Sequence, residues 1–156
     1  MRQYTNFTDT VWTYYHDYGR DLPWRHSTQS DAFDPYLILV SEIMLQQTQV
    51  QRVIHKYQEF LALFPTVASL AEASLADVLR VWQGLGYNRR AKFLWQASQT
   101  VVQQHNGVFP SDQKSLVGLP GVGVNTAGAI LAYAFNKPVV FVETNIRTVF
   151  IHHFFA

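Results

Sequence analysis

Leu119-Pro120-Gly121-Val122-Gly123, followed directly by Val124-Asn125-Thr126-Ala127-Gly128, is the stretch on which the fold turns. Pro120 lacks a backbone donor and restricts the residue before it, so a helix through Leu116 must end there. The two glycines permit positive φ and leave backbone amides uncovered, and a second apolar helix pattern then runs to Phe135. Leu116 to Phe135 therefore reads as helix, tight turn, helix. Amides at the start of the second helix, reinforced by its dipole, favour an anion such as a phosphate, which they would meet through backbone alone. A plain glycine link between two packed helices is the other reading of the same residues.

Outward from the hairpin, helical periodicity dominates and no set of alternating strands occurs. Phe7, Val11, Tyr14 and Tyr15 mark an amphipathic helix ending near Gly19. Asp21 to Pro35, polar and holding two prolines, reads as a loop. Tyr36 to Phe64 carries enough apolar positions for two helices broken at the Gln-rich QQTQ stretch, the second closed by Pro65. Ser74 and Asp77 form a variant capping box for a short helix through Trp82, stopped by Gly84 and Gly86. A long helix from about Asn88 to Gln104 precedes a turn at His105-Asn106-Gly107. Lys137 to Val142 is extended, and Thr144 is expected to cap a last helix. The pattern predicts an all-α chain of about eight helices.

With 156 residues, 48% hydrophobic and 15% aromatic, the chain is long enough to bury one good core as a single domain. No apolar run approaches the roughly 20 residues that span a bilayer, and MRQYTNFTDT has the character of neither a signal nor an anchor, so no membrane partner and a cytoplasmic, intracellular placement are expected. Zero cysteines exclude disulfides and thiolate metal or cluster sites within these residues. A net charge of +1 gives no bulk footprint of a polyanion partner, so any such case is local. The dense basic cluster Arg89, Arg90, Lys92 reads, on spacing alone, as a solvated helix face. His152 and His153 are adjacent rather than a helical turn apart, which argues against a metal site. Trp82 and Trp95 read as core.

Two carboxyl groups stand out. Glu42 interrupts an apolar helix between Val40 and Ile43-Met44-Leu45, where desolvation would raise its pKa and hold it protonated; a solvent-facing or capping glutamate is the alternative. Glu143 precedes the last helix, where its charge can support that N-terminus.

LPGVG with Thr126-Ala127-Gly128, VETN at 142–145, SEIMLQQTQV at 41–50, GRDLPWR at 19–25 and GLGY at 84–87 occur in one order that resembles the helix-hairpin-helix, endonuclease III-like DNA glycosylases, most closely their A/G-specific adenine branch. The resemblance runs from about Arg20 to the C-terminus. It implies a single all-α glycosylase domain, with a six-helix barrel over about 25–136, the hairpin at 114–135, and 1–20 and 143–156 as parts of an incomplete second helical subdomain. The implied reaction is removal of a mispaired base, adenine opposite 8-oxoguanine or guanine, from double-stranded DNA. Thymine or uracil opposite guanine, or a non-catalytic module using the hairpin only to hold phosphates, are the alternatives.

By the same resemblance Glu42 is the general acid, a role that suits bond hydrolysis through an oxocarbenium-like sugar. Glu143 stands where the family has an aspartate, keeping the charge and adding a methylene. Asn125 occupies the place of the Schiff-base lysine of bifunctional relatives, which implies monofunctional chemistry. Gln47, Thr48 and Tyr87 would fill the stack vacated by a flipped base, with Asn88 in place of a second tyrosine and Arg89 beside it. Arg20, Leu22, Trp24 and Arg25 would wall the base pocket together with Asn125. Gly121, Val122, Gly123 and Thr126 would meet DNA at the hairpin, and carbonyls of Val117, Leu119 and Val122 would hold a monovalent cation. The implied fold continues beyond Ala156 with returning helices and iron–sulfur ligands, so Phe7, Val11, Tyr14, Phe150, Phe154 and Phe155 are expected on an apolar face open to association, whereas the family is monomeric.

Overall fold

A computed structural model of the chain describes residues 2–25 and 33–155, with side chains from Asn6 onward. The loop reading over 26–32 and the placement of Ala156 lie outside those residues. Every regular element among the described residues is helical: α1 Arg2–Tyr18, a 3-10 turn Pro23–Arg25, α2 Pro35–Leu45, α3 Val50–Leu63, α4 Val67–Glu72, α5 Leu75–Trp82, α6 Asn88–His105, α7 Gln113–Val117, α8 Val124–Phe135 and α9 Thr144–Phe155. None of these helices is long and apolar enough to cross a membrane.

The chain divides into two compact units, residues 23–141 and residues 1–22 with 142–156. In the larger unit α2 is the central helix. Asp34 caps it by accepting the Tyr36 N–H at 2.8 Å, and Pro35 sits at the first helical position, where its missing donor is harmless. Ile38, Leu39, Val40, Ile43 and Met44 are all buried, so the helix is apolar nearly all round and is enclosed by α3, α6 and α8. Tyr36 donates to the Phe64 carbonyl at 2.6 Å and Tyr57 to that of Leu37 at 3.4 Å, which ties α3 and the residue after it to the N-terminal turn of α2. Burial pushes both phenols above their ordinary pKa.

Ser74 caps α5 by accepting the Asp77 N–H at 3.1 Å, and its hydroxyl donates to Asp77 Oδ2 at 2.6 Å, so the cap forms as predicted while the reciprocal half of the box is taken by the side chain and not by the Ser74 backbone. The helix α4 went unread in the sequence. Its reciprocal box pairs Thr66 with Ser69, each side chain accepting the other's backbone N–H, where serine replaces the glutamate or glutamine that usually signals the motif. Both α4 and α5 pack on α6, and the Trp95 indole donates to the Ala73 carbonyl at 2.9 Å. Trp82 is fully buried; Trp95 is only partly so.

In the smaller unit Phe7 of α1 packs among Phe150, His153 and Phe154 of α9, with ring centroids at 5.2, 4.7 and 5.1 Å. Val11, Tyr14, Phe150 and Phe155 are exposed, whereas Phe7 and Phe154 are half-buried. The Arg147 N–H donates to the Glu143 carbonyl at 2.9 Å, so Glu143 and not Thr144 holds the capping position of α9. Thr144 is instead the first helical residue, and its carbonyl accepts the Thr148 hydroxyl at 2.9 Å.

The last segment of the larger unit is seated by a missing side chain. A Cβ on Gly128, mid-way along α8, would lie 2.8 Å from Cβ, Cγ and Cδ1 of Phe141. Alanine in a helix normally gains up to about 1 kcal/mol over glycine, but overpacking a close contact costs about 1–3 kcal/mol. Because the nearest atom is the Cβ of Phe141 and not a free side-chain end, the second effect dominates. Gly128→Ala should lower the urea midpoint of unfolding, with a net loss of about 1 kcal/mol or more, and shortening Phe141 to valine in the same chain should recover part of it.

Candidate DNA interface and active site

The hairpin forms as the sequence predicts, with one correction. Gly121 has φ of 77°, while Gly123 has φ of −88° and ψ of 178°, extended backbone open to any residue. Gly121 is therefore the strained position. A Cβ there would come within 2.7 Å of the Phe93 Cβ on α6, so a bare backbone is what lets the hairpin rest on that helix. The Leu119 carbonyl accepts the Val122 N–H at 3.1 Å, closing the turn, and both side chains are buried. Gly123 caps α8 with no side chain, nothing lies within 4 Å of the place its Cβ would occupy, and the first helical bond runs from Ala127 N–H to the Gly123 carbonyl at 2.9 Å. Gly123, Val124 and Asn125 are exposed, so the amides without helical acceptors at this helix start lie at the surface, where an anion suits them. Thr126 is buried. Val117 ends α7, where a carbonyl lacks its helical donor, so it and the carbonyls of Leu119 and Val122 are neutral oxygens of a kind that suits a monovalent cation.

Two further turns meet at Arg90, and here the sequence reading of a solvated basic face fails. Arg90 is half-buried. One terminal nitrogen donates to the carbonyls of Ile43 at 2.9 Å, Met44 at 3.1 Å and Gln46. The other donates to the Thr48 hydroxyl at 3.0 Å and to the carbonyls of Leu85 at 3.0 Å and Gly86 at 3.3 Å. Rings of Tyr87 and Trp82 lie 5.4 and 5.6 Å from the guanidinium carbon. Burial pushes its pKa down from the ordinary arginine value, yet the group keeps its charge whenever the chain is folded. Helical position alone could not reveal this, because four of its six acceptors lie more than 40 residues upstream. Arg89, by contrast, is exposed, resting 5.0 Å over the Phe93 ring, and Lys92 is exposed as well.

The residues these turns display are Gln47, in left-handed backbone with φ of 55°, and Tyr87, with φ of 49° at the start of α6. Both are exposed, Tyr87 to 64%, and Asn88 beside it is exposed too. Thr48 is half-buried because its hydroxyl is engaged by Arg90.

Glu42 stands on α2 between buried Ser41 and Ile43, one helical turn before the end that Arg90 holds. It is half-buried: its flanks are buried, and its own position is partly open to solvent. Glu143 is exposed at the start of α9 in the smaller unit. Arg20 and Leu22 also belong to that unit, exposed and half-buried respectively. Trp24 and Arg25 belong to the larger one. Trp24 is only 3% exposed and meets Tyr57 edge to face at 5.4 Å, so its indole anchors the loop to the core. Arg25 lies 4.1 Å over the Tyr133 ring. Among the described residues no group of three His, Cys, Asp or Glu side chains is placed to bind a metal.

The chain is 39% identical over 149 residues to the adenine DNA glycosylase of Buchnera aphidicola, covering 95% of this chain and 41% of that protein. It is 47% identical over 130 residues to the adenine DNA glycosylase of Mycobacterium tuberculosis, covering 83% and 41%. The solved structure of a thermostable thymine-DNA glycosylase superposes with a TM-score of 0.86 at 29% identity, over 96% of this chain and 67% of that one. The chain spans about two fifths of the length of the two curated relatives. Residues 40–156 match the family of HhH-GPD superfamily base excision DNA repair proteins, three quarters of the sequence, and with the hairpin in place the chain belongs to that superfamily.

Proposed function

We propose that this chain is the helical core of a monofunctional DNA N-glycosylase that removes adenine mispaired with guanine or 8-oxoguanine. The observation that carries the reading is the arrangement along α2, which places the half-buried Glu42 on a rigid helix packed against α8 of the hairpin and ends it in the turn that displays Gln47. The hairpin amides would hold a phosphate through the backbone, in concert with a monovalent cation on the carbonyls of Val117, Leu119 and Val122. Gln47 and Tyr87 would enter the stack as the base leaves it, with Thr48, Asn88 and Arg89 beside them. In the larger unit Arg25 and Asn125 would border the extruded base, with Trp24 supporting the loop from beneath.

Glu42 would protonate the departing base and then take a proton from the attacking water; the motif order, taken by itself, assigns Glu143 a negative charge for the positive sugar. Water supplies the oxygen that replaces the base, and an abasic site remains. With Asn125 at its position, α8 offers no amine for a Schiff base, so strand cleavage by β-elimination has no nucleophile there. The similarity to a thymine-DNA glycosylase, together with Asn88 after Tyr87, gives thymine opposite guanine as the second substrate to compare. The deciding assay presents duplexes carrying A·8-oxoG, A·G, T·G and U·G to the full-length protein and reveals abasic sites with alkali. Cleavage confined to the pyrimidine mismatches would transfer the reading to the second substrate class.

Three variants separate the roles. Glu42→Gln keeps size and polarity but cannot deliver the proton, so duplex binding should persist while single-turnover excision falls about 100-fold or more. A rate near wild type would move the acid elsewhere. Glu143→Asp should remain active and Glu143→Gln should lose most excision, since charge and not length is required. Gly123→Ala meets no strain and no clash, so its stability should change by less than about 1 kcal/mol, yet a methyl beside the hairpin amides should weaken affinity for all duplexes alike. Unaltered binding in an anisotropy titration would remove the hairpin from the interface.

A further inference from the structure

We infer that Arg90 is a positioning residue which sets Gln47 and Tyr87 as one pre-formed pair of probes, so that base extrusion depends on a guanidinium that need not touch the DNA. The inference rests on the glycosylase reading above. Its starting point is that both displayed residues are non-glycine and left-handed, each at a backbone cost of about 1–3 kcal/mol. Neither recovers that cost by burial, since both side chains face solvent. Strain retained at exposed side chains points to something they meet outside the fold.

What holds the strain is specific. The Gln46 carbonyl belongs to the peptide that leads into Gln47, and the Gly86 carbonyl to the peptide that leads into Tyr87. Arg90 donates to both, and thereby restricts the rotation of each peptide plane. The Thr48 hydroxyl fixes the far side of Gln47, and the Trp82 indole adds a second donor to Gly86 at 3.0 Å. Arg90 Nε is buried without a hydrogen-bond acceptor, so the fork is aimed at the two turns even at the expense of its own third donor group. A lysine ammonium, one point with three donors, cannot span both turns as a planar fork does. Two segments some 40 residues apart in sequence therefore present their probes at a spacing set by one side chain.

The test uses the full-length protein and a duplex carrying 2-aminopurine opposite guanine, whose fluorescence rises on unstacking. Arg90→Lys should bind an undamaged duplex within about twofold of wild type and lose about tenfold or more in fluorescence amplitude and single-turnover excision. In wild type, Gln47→Ala and Tyr87→Ala should act non-additively on extrusion; in the Arg90→Lys background that coupling should vanish. Thr48→Val removes one acceptor beside Gln47 and should reduce extrusion several-fold with thermal melting unchanged, which keeps the inference testable if Arg90→Lys does not fold. Extrusion at the wild-type level in Thr48→Val and in any folded Arg90→Lys would overturn it, as would additive effects of Gln47→Ala and Tyr87→Ala in wild type. Absence of both extrusion and excision in the wild-type protein on every mismatch would instead overturn the glycosylase reading itself.

Discussion

A guanidinium surrounded by six neutral oxygens holds the C-terminal end of α2 against the first turn of α6, and the geometry of the candidate interface depends on it. Removing a cation from water is expensive, and here helix-end and turn carbonyls, not a carboxylate, offset the cost. The carbonyls at the end of α2 are those that lose their helical donors, so the arginine satisfies groups that would otherwise need water. Three residues further along α6, Phe93 supports the hairpin at Gly121. The opening turns of one helix thus locate the Gln47 turn, the Tyr87 turn and the hairpin together.

The remainder of the larger unit keeps α2 from moving. Its side chains are buried on almost every face, Tyr36 and Tyr57 bond its first turn to α3, and Arg90 holds its last. A carboxyl group on such a helix has a fixed origin. Placement to a fraction of an ångström matters for proton transfer, and a rigid element provides it better than a loop.

Most of the helices were legible because their signals are local. Pro120 ends one, Ser74 starts another, and the 3.6-residue pattern identifies the rest. α4 escaped because its box is written with two hydroxyls, a sequence that is equally at home in a turn. The last helix start was shifted by one residue, since Thr144 is the better capping residue and the backbone nonetheless used Glu143. At the hairpin, two glycines looked equivalent, and only the fold distinguishes the one that needs left-handed backbone from the one that does not. Motif order singled out Glu42, Gln47 and Tyr87 as candidates. It carried no trace of Arg90's role, because a periodic pattern states which face a residue occupies and is silent on which distant turn folds over it.

The enclosure of Arg90 also alters the ionic accounting of the basic segment. Linear counting assigns three cations to residues 89–92, but one is committed to protein oxygens. Only Arg89 and Lys92 remain exposed to neutralise phosphates and release condensed counterions. On the proposed reading, each phosphate contact contributes about 0.9 to the slope of log affinity against log salt, so this segment contributes as two charges, not three. In a chain with a net charge of only +1, that distinction moves the source of affinity from bulk charge to the few places where backbone amides and the exposed cations converge.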